Sequence, residues 1–289
     1  HFSKYDCDRS IPNMMDGLKI SLRKILYAAF LKNLKDEIKV AQFSGYVSEK
    51  SGYHHGEASL NQAIVGMAQN YVGSNNINLF EPNGQFGTRL QGGKDSASER
   101  YIFTKLNSIT RHIFPEIDDK ILKYLDDDGF PVEPVFYAPI IPMLLVNGSK
   151  GIGTGFSTDI MPYHPNDIIL YIKQKLQGKP TVESLTPYYE GFRGTITKME
   201  KHKYLIKGVY ETIGTDTIRI TELPIGIWTD DYKQFLESLM DSGSKTDKKT
   251  KRPTIVRDYN DMSTDKTVDI TIKLSRGKLD QLEDTETVI

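Results

Sequence analysis

The chain has 289 residues with 37 Lys and Arg against 38 Asp and Glu, a net charge of −1. That length suits two domains, and a single cysteine, Cys7, excludes an internal disulfide framework or a cysteine-built zinc site. No run of 18 apolar residues offers a membrane span, and the balanced charge is no global signature of a nucleic-acid binder.

The charge is unevenly spread. Residues 1–125 carry 16 Lys and Arg against 13 Asp and Glu, and residues 126–289 carry 21 against 25, so a local basic surface is possible in the first half. The lone thiol fits a reducing, intracellular compartment. No signal peptide is visible. The sequence opens on His1 rather than Met, from which we expect a longer parent protein.

In chain order, Pro12 and Asn13 mark a turn, and Asp16 is a candidate N-cap. Leu18, Leu22, Ile25, Leu26, Ala29 and Phe30 recur at helical spacing and predict a helix over 17–33. Lys19, Arg23 and Lys24 fall off that stripe. They read either as a solvated face or as a row of phosphate contacts. A short helix is expected near 37–43, and a third begins at Glu57, with Leu60, Ile64, Met67, Ala68 and Tyr71 on one face. His54 and His55 precede it. Adjacent side chains diverge and no further ligand is close in sequence, so a metal site is disfavoured. Histidines beside the amide N–H groups of a helix start more plausibly meet a phosphate.

Three helices followed by the glycine-rich, basic loop 84–100, which includes Lys94, suggest a helix-turn-helix elaborated with a β wing. The loop ends at Arg100-Tyr101. Ile102, Leu106, Ile109 and Ile113 then follow at helical spacing. One reading is an ordinary helix start with a half-buried tyrosine. The other is chemical: a phenol oxygen can attack phosphorus, and a fixed guanidinium can stabilise the charge that develops on the phosphate oxygens.

A domain boundary is expected at 126–129, dividing the chain into 1–125 and 126–289. Residues 143–146 read as a strand entering the glycine loop at Gly148, Gly151, Gly153 and Gly155. A nucleotide cradle would need a helix straight after the glycines, and Pro162 and Pro165 argue against one. Ile152 is the apolar side chain among these glycines, either a buried plug or an intercalating wedge. A helix is expected over 166–176, then strands at 192–198, 204–210, 217–223, 254–259 and 268–274. One helix, 229–240, and a charged loop, 242–252, interrupt them. The second half contains no catalytic cluster and reads as a mixed α/β support.

Six stretches now converge: RSIPNMMDGLK, YHHGEASL, AQNYVGSNN, FGTRLQGGKDSASERYIFT, LLVNGSKGIGTGFST and TELPIGIWTDDYKQFLE. In this order they resemble the breakage-reunion core of type IIA DNA topoisomerases, in the eukaryotic and viral branch. The resemblance implies an α+β fold, with a winged-helix domain over 1–125 and a mixed α/β tower domain over 126–289. It implies that Tyr101 is the nucleophile, linking to a 5′ phosphate of duplex DNA, with Arg100 stabilising the transition state. Arg9 and His55 match residues near the scissile phosphate. Lys19, Tyr53 and Ser59 match DNA contacts, and Ile152 matches the residue that wedges between base pairs. With Arg23, Lys24, His54, Lys94 and Lys150 these make up the expected DNA-binding set.

The resemblance further implies double-stranded DNA and a second copy of the chain as partners. Mg²⁺ and ATP would act in the longer enzyme through regions absent from this sequence, with no metal site in these residues. The location would be the nucleus if the protein is cellular, and host cytoplasm or nucleus if it is viral. The alternative is a DNA-binding or architectural domain that kept the fold without the chemistry. Two departures mark a divergent member. Ile20-Ser21-Leu22 stands where relatives carry Pro-Gly-Gln or Pro-Val-His, and Lys150 stands where a carboxylate is common.

Overall fold

The computed structural model describes residues 1–182, 184–201, 203–241 and 255–284, and the chain divides into two units, 1–87 with 96–190 and 88–95 with 191–289. The fold is mixed α+β. No helix among the described residues is long and apolar enough to cross a membrane.

The first unit opens with α1 (Phe2–Ser10), which has no buried residue. With no apolar stripe, this helix gave no periodic signal in the sequence. Next come α2 (Ile20–Lys32), the short strand β1 (Ile38–Lys39), α3 (Val40–Ser51) and α4 (Glu57–Ala68). Ile25, Leu26, Ala29, Val40, Phe43, Val47, Leu60 and Ile64 meet in one core, with at most 1% of any of them exposed. Residue types at helical spacing put these side chains on facing stripes, and their burial drives the packing. Helix α2 ends at Asn33, which is left-handed (φ 49°) and donates its N–H to the Ala29 and Phe30 carbonyls. Helix α3 ends at Gly52 (φ 56°), where the missing Cβ makes the left-handed turn inexpensive. Leu22, one of the departures, packs against the core.

Strands β2 (Phe80–Asn83) and β3 (Phe103–Leu106) join β1 in an antiparallel sheet of order β1-β3-β2. Residues 103–106 are therefore strand, not the expected helix. Ile102 and Thr104 are both buried and Leu106 packs against the core, a period of two. The polar Thr104 hid that alternation, and its hydroxyl donates to the Glu81 carbonyl at 2.8 Å. The helical spacing survives only in α5 (Thr110–Ile113).

A 3-10 turn (Glu116–Lys120) leads to the hairpin of β4 (Tyr124–Asp127) and β5 (Phe130–Pro134). The boundary expected at 125/126 falls within β4 of this hairpin. The expected strand at 143–146 forms α6 (Met143–Asn147). Met143 and Val146 are buried at i,i+3 spacing; so short an apolar run suits either element. After it, β6 (Ser149–Gly153) and β7 (Phe156–Ile160) form a hairpin, and α7 (Pro165–Leu176) follows as expected.

The second unit contains β8 (Thr195–Glu200) paired with β9 (Lys203–Lys207). It also holds β10 (Val209–Gly214), β11 (Thr217–Glu222), α8 (Thr229–Asp241), β12 (Val256–Asp261), β13 (Ile270–Leu274) and α9 (Lys278–Asp284). Strands β10-β11-β13-β12 form one antiparallel sheet, and Ile218, Ile220, Leu236, Ile270 and Ile272 fill its core. The loop expected at 242–252 lies outside the described residues.

Residues 88–95 pack within this second unit. The buried Arg89 guanidinium pairs with the Glu222 carboxylate, which also accepts the Leu223 N–H (3.1 Å) and the Arg193 N–H (3.2 Å). The Asp230 N–H donates to the Leu90 carbonyl at 3.0 Å, and a Cβ on Gly92 would overlap the Trp228 ring. Gly92 thus serves a close packing contact.

Candidate functional site

Tyr101 sits on a turn between residues 96–100 and β3. The first two N–H groups of α3, which have no partner inside the helix, clamp this turn on both sides of the tyrosine. Ala41 donates to the Glu99 carbonyl (3.1 Å) and Val40 to the Ile102 carbonyl (3.0 Å). The Tyr101 N–H donates to the Ser98 carbonyl at 2.9 Å, and the Ala97 N–H to the Gln85 carbonyl at 2.8 Å. Ile102 is buried directly beneath, whereas Tyr101 is 73% exposed. The fixed backbone therefore presents the phenol to solvent. Arg100 is exposed, and among the described residues its guanidinium makes no hydrogen bond or ion pair.

A second group forms around His55. The edge of its ring meets Tyr53, with centroids 5.4 Å apart. Desolvation, then the charges of Arg9, His54 and Lys24, hold the His55 imidazole below its ordinary value of 6.5. His55 is therefore neutral at pH 7, and Arg9 lies near enough for its charge to act on both His55 and Tyr53. Among the described residues, no hydrogen bond or ion pair joins this group to Arg100 or Tyr101.

Several expected contacts are corrected by burial. Arg23 is 4% exposed. Its guanidinium donates to Asp16 at 2.7 and 3.1 Å and to the Leu18 carbonyl at 2.8 Å. It is an internal tie and cannot reach a phosphate. Asp16 is not the helix N-cap, which is Lys19; it is a buried hub that also accepts the Leu18 and Tyr137 N–H groups, each at 2.9 Å. Lys24 is likewise engaged inside the protein, with the buried Glu133 carboxylate at 2.7 Å and the Ser51 carbonyl. Tyr53 is a core residue, so it supports His55 more than it offers a surface.

The other expected contacts differ in setting. Lys19 is half-buried at the start of α2, and Ser59 is exposed in the first turn of α4. His54 is exposed 3.6 Å from Asp127. Lys94 is exposed within the second unit.

Ile152 is 83% exposed, which removes the buried-plug alternative. The strand alternation of β6 turns Gly151 and Gly153 the other way, against α1. A Cβ on Gly151 would overlap the Ser10 carbonyl oxygen, and one on Gly153 would lie 3.0 Å from the Cys7 sulfur. The hairpin is also tied to α1 through Asp6, which accepts the Thr154 N–H and hydroxyl, both at 2.7 Å. Those bonds, the hydroxyl first, hold the Asp6 carboxyl below its ordinary value. The reading of sequence missed Asp6 and Thr154, and no spacing signal could join residues 148 positions apart. Lys150 is exposed, 3.6 Å across the hairpin from Asp159.

Among the described residues, no group of three or more His, Cys, Asp and Glu stands where it could hold a metal ion.

Residues 9–288 match the family described as the A subunit of DNA gyrase/topoisomerase IV. DNA topoisomerase 2 of Arabidopsis thaliana is 55% identical over 282 residues, covering 96% of this chain and 18% of that protein. DNA topoisomerase 2 of Acanthamoeba polyphaga mimivirus is 52% identical over 252 residues, covering 87% and 20%. The crystal structure of the Plasmodium falciparum topoisomerase II DNA-binding, cleavage and re-ligation domain superposes with a TM-score of 0.92 at 49% identity, covering 98% of this chain and 38% of that one. The chain thus spans about a fifth of the length of the curated relatives it matches.

Proposed function

The chain belongs to the DNA gyrase/topoisomerase IV A-subunit family, and from that membership we propose that it forms the DNA-gate cleavage and religation part of an ATP-dependent type II topoisomerase. The observation that carries the reading is the exposed Tyr101 phenol on a backbone clamped at both flanking carbonyls.

In the proposed step the Tyr101 oxygen bonds to a DNA phosphorus and the bond from phosphorus to the 3′ oxygen breaks. The phenol gives up its proton and the departing 3′ oxygen takes one up. The product is a 5′-phosphotyrosyl link and a free 3′ hydroxyl. The link conserves the bond energy, so attack by the same hydroxyl reverses the step. Arg100 stabilises the charge that grows on the phosphate oxygens. Arg9 supplies a second cation near the scissile phosphate, and His55, neutral at pH 7, can accept or donate a hydrogen bond there. Ile152 enters the duplex as an apolar wedge. Lys19, His54, Ser59 and Lys150 line the DNA path, with Tyr53 behind His55, and Lys94 of the second unit also contacts DNA; Arg23 and Lys24 take no part because their charges are spent internally.

One tyrosine per chain cuts one strand, so cutting a duplex takes a homodimer. A second duplex then passes through the gap. In this reading residues 1–125 act as a winged-helix domain and residues 126–289 as a tower domain. Mg²⁺ and ATP belong to other regions of the longer enzyme. The enzyme works in the nucleus of a cell, or in host cytoplasm or nucleus if viral.

The test is covalent trapping with the full-length enzyme. Tyr101→Phe should abolish the protein–DNA adduct and leave DNA binding intact. A residual adduct in that variant would overturn the assignment.

A further inference from the structure

We propose that Gly84, Ile102 and the first N–H of α3 are the positioning elements that aim the Tyr101 phenol, an inference that rests on the reading of Tyr101 as nucleophile. Gly84 lies at the end of β2 with φ +106°, a left-handed conformation that side chains rarely adopt. A Cβ there would stand 2.9 Å from Ile102 Cγ2, 3.5 Å from its Cβ and 3.6 Å from its Cα. Ile102 is buried, so it has no solvent side into which to retreat. It is also the residue next to Tyr101, and its carbonyl accepts the Val40 N–H.

The path is short and entirely local. Gly84 sets the room under Ile102, and Ile102 carries the turn. The Val40 and Ala41 N–H groups then fix the turn's two carbonyls. Any side chain at position 84 pushes Ile102, and through it the peptide that bears the phenol. A reacting group misplaced by about 1 Å loses on the order of a hundredfold in rate, and the shift here is a fraction of that.

Three variants of the full-length enzyme test this, read as the rate of covalent adduct formation at saturating duplex DNA. Affinity for the same DNA and thermal unfolding are measured alongside. Gly84→Ala should slow adduct formation by about tenfold while DNA affinity holds. Ile102→Leu removes the β-branch that the new methyl meets and conserves volume, so the pair Gly84→Ala with Ile102→Leu should recover part of the rate.

Val40→Pro is the variant whose backbone geometry suits the fold. Proline is favoured at the first position of a helix, and the preceding Lys39 already has φ −59° and ψ 136°, which proline demands of its neighbour. It deletes the N–H that holds the Ile102 carbonyl and exchanges a buried valine side chain for a proline ring, so thermal unfolding is compared alongside the rate, and it should also slow the adduct. Rates equal to the unsubstituted enzyme in both Gly84→Ala and Val40→Pro overturn the inference, and if Gly84→Ala does not fold, Val40→Pro decides alone. Failure of Ile102→Leu to recover any rate overturns the contact with Ile102 as the route. Tyr101→Phe runs in parallel. An adduct in that variant defeats the nucleophile reading, whereas an undiminished Tyr101 adduct in the other variants defeats only the positioning.

Discussion

Arg23 holds Asp16 through two hydrogen bonds, 2.7 and 3.1 Å long, with both side chains buried. The pair closes the turn that precedes α2, since Asp16 also accepts the Leu18 and Tyr137 N–H groups. Removing one partner leaves a charge buried without compensation, at a cost of about 3–5 kcal/mol. Arg23→Ala should therefore lower stability by that amount in denaturant unfolding of the chain. A change near zero, together with weakened DNA binding, would return Arg23 to the surface role read from the sequence.

Arg100 offers the opposite case, an exposed cation with no internal partner among the described residues. Arg100→Ala should leave the unfolding midpoint almost unchanged and slow DNA cleavage in the full-length enzyme by about 10²–10³, the loss typical of removing one donor to a developing oxyanion. Arg100→Lys should recover only part of the rate, because an ammonium lacks the planar fork of donors. Single-turnover cleavage assays measure both.

The β6-β7 hairpin separates the proposed wedge, Ile152, from the scaffold. Ile152→Ala should change stability by no more than about 0.5 kcal/mol, as expected for an exposed site, and should reduce the bend of bound DNA in a fluorescence assay. Gly151→Ala should do the reverse. Its methyl meets the Ser10 carbonyl, and overpacking against backbone costs about 1–3 kcal/mol.

His55 titrates below 6.5 because of desolvation first and the Arg9 charge second. Arg9→Ala should raise its pKa while leaving it below 6.5, readable by NMR titration of the imidazole. The folded value lies below the unfolded one, so the unfolded chain takes up this proton first as pH falls. The stability contributed by neutral His55 is complete above about pH 6.5 and is lost as pH falls through the folded value. A His55 titration unmoved by Arg9→Ala would separate the two residues.

Much of the architecture could be read from residue types alone. Helices α2, α4, α7 and α8 and strands β11 and β13 each carry their own periodicity, whereas the single strand expected at 204–210 is divided between β9 and the exposed β10, and the in-order motifs identify the family. The chemistry proposed for Arg100-Tyr101 is equally local, since a phenol and a guanidinium are adjacent in the chain. Elements with short or mixed patterns were misread. Residues 103–106 satisfied helical spacing through Ile102 and Leu106 until β1 and β2 claimed them, and residues 143–146 were too short for periodicity to separate strand from helix.

The direction each cation faces was beyond the sequence. Lys24 is internal because Glu133, 109 residues away, reaches it, while Arg23 is internal because Asp16 is enclosed beside it. Arg100 remains open to water. All three have the same charge and an intrinsic preference for solvent. The sequence by itself determined which groups could bind phosphate and which could attack it. The tertiary structure alone decided which are available, because burying a charge is costly unless a partner comes with it, and the partner is supplied by the fold rather than by neighbouring residues.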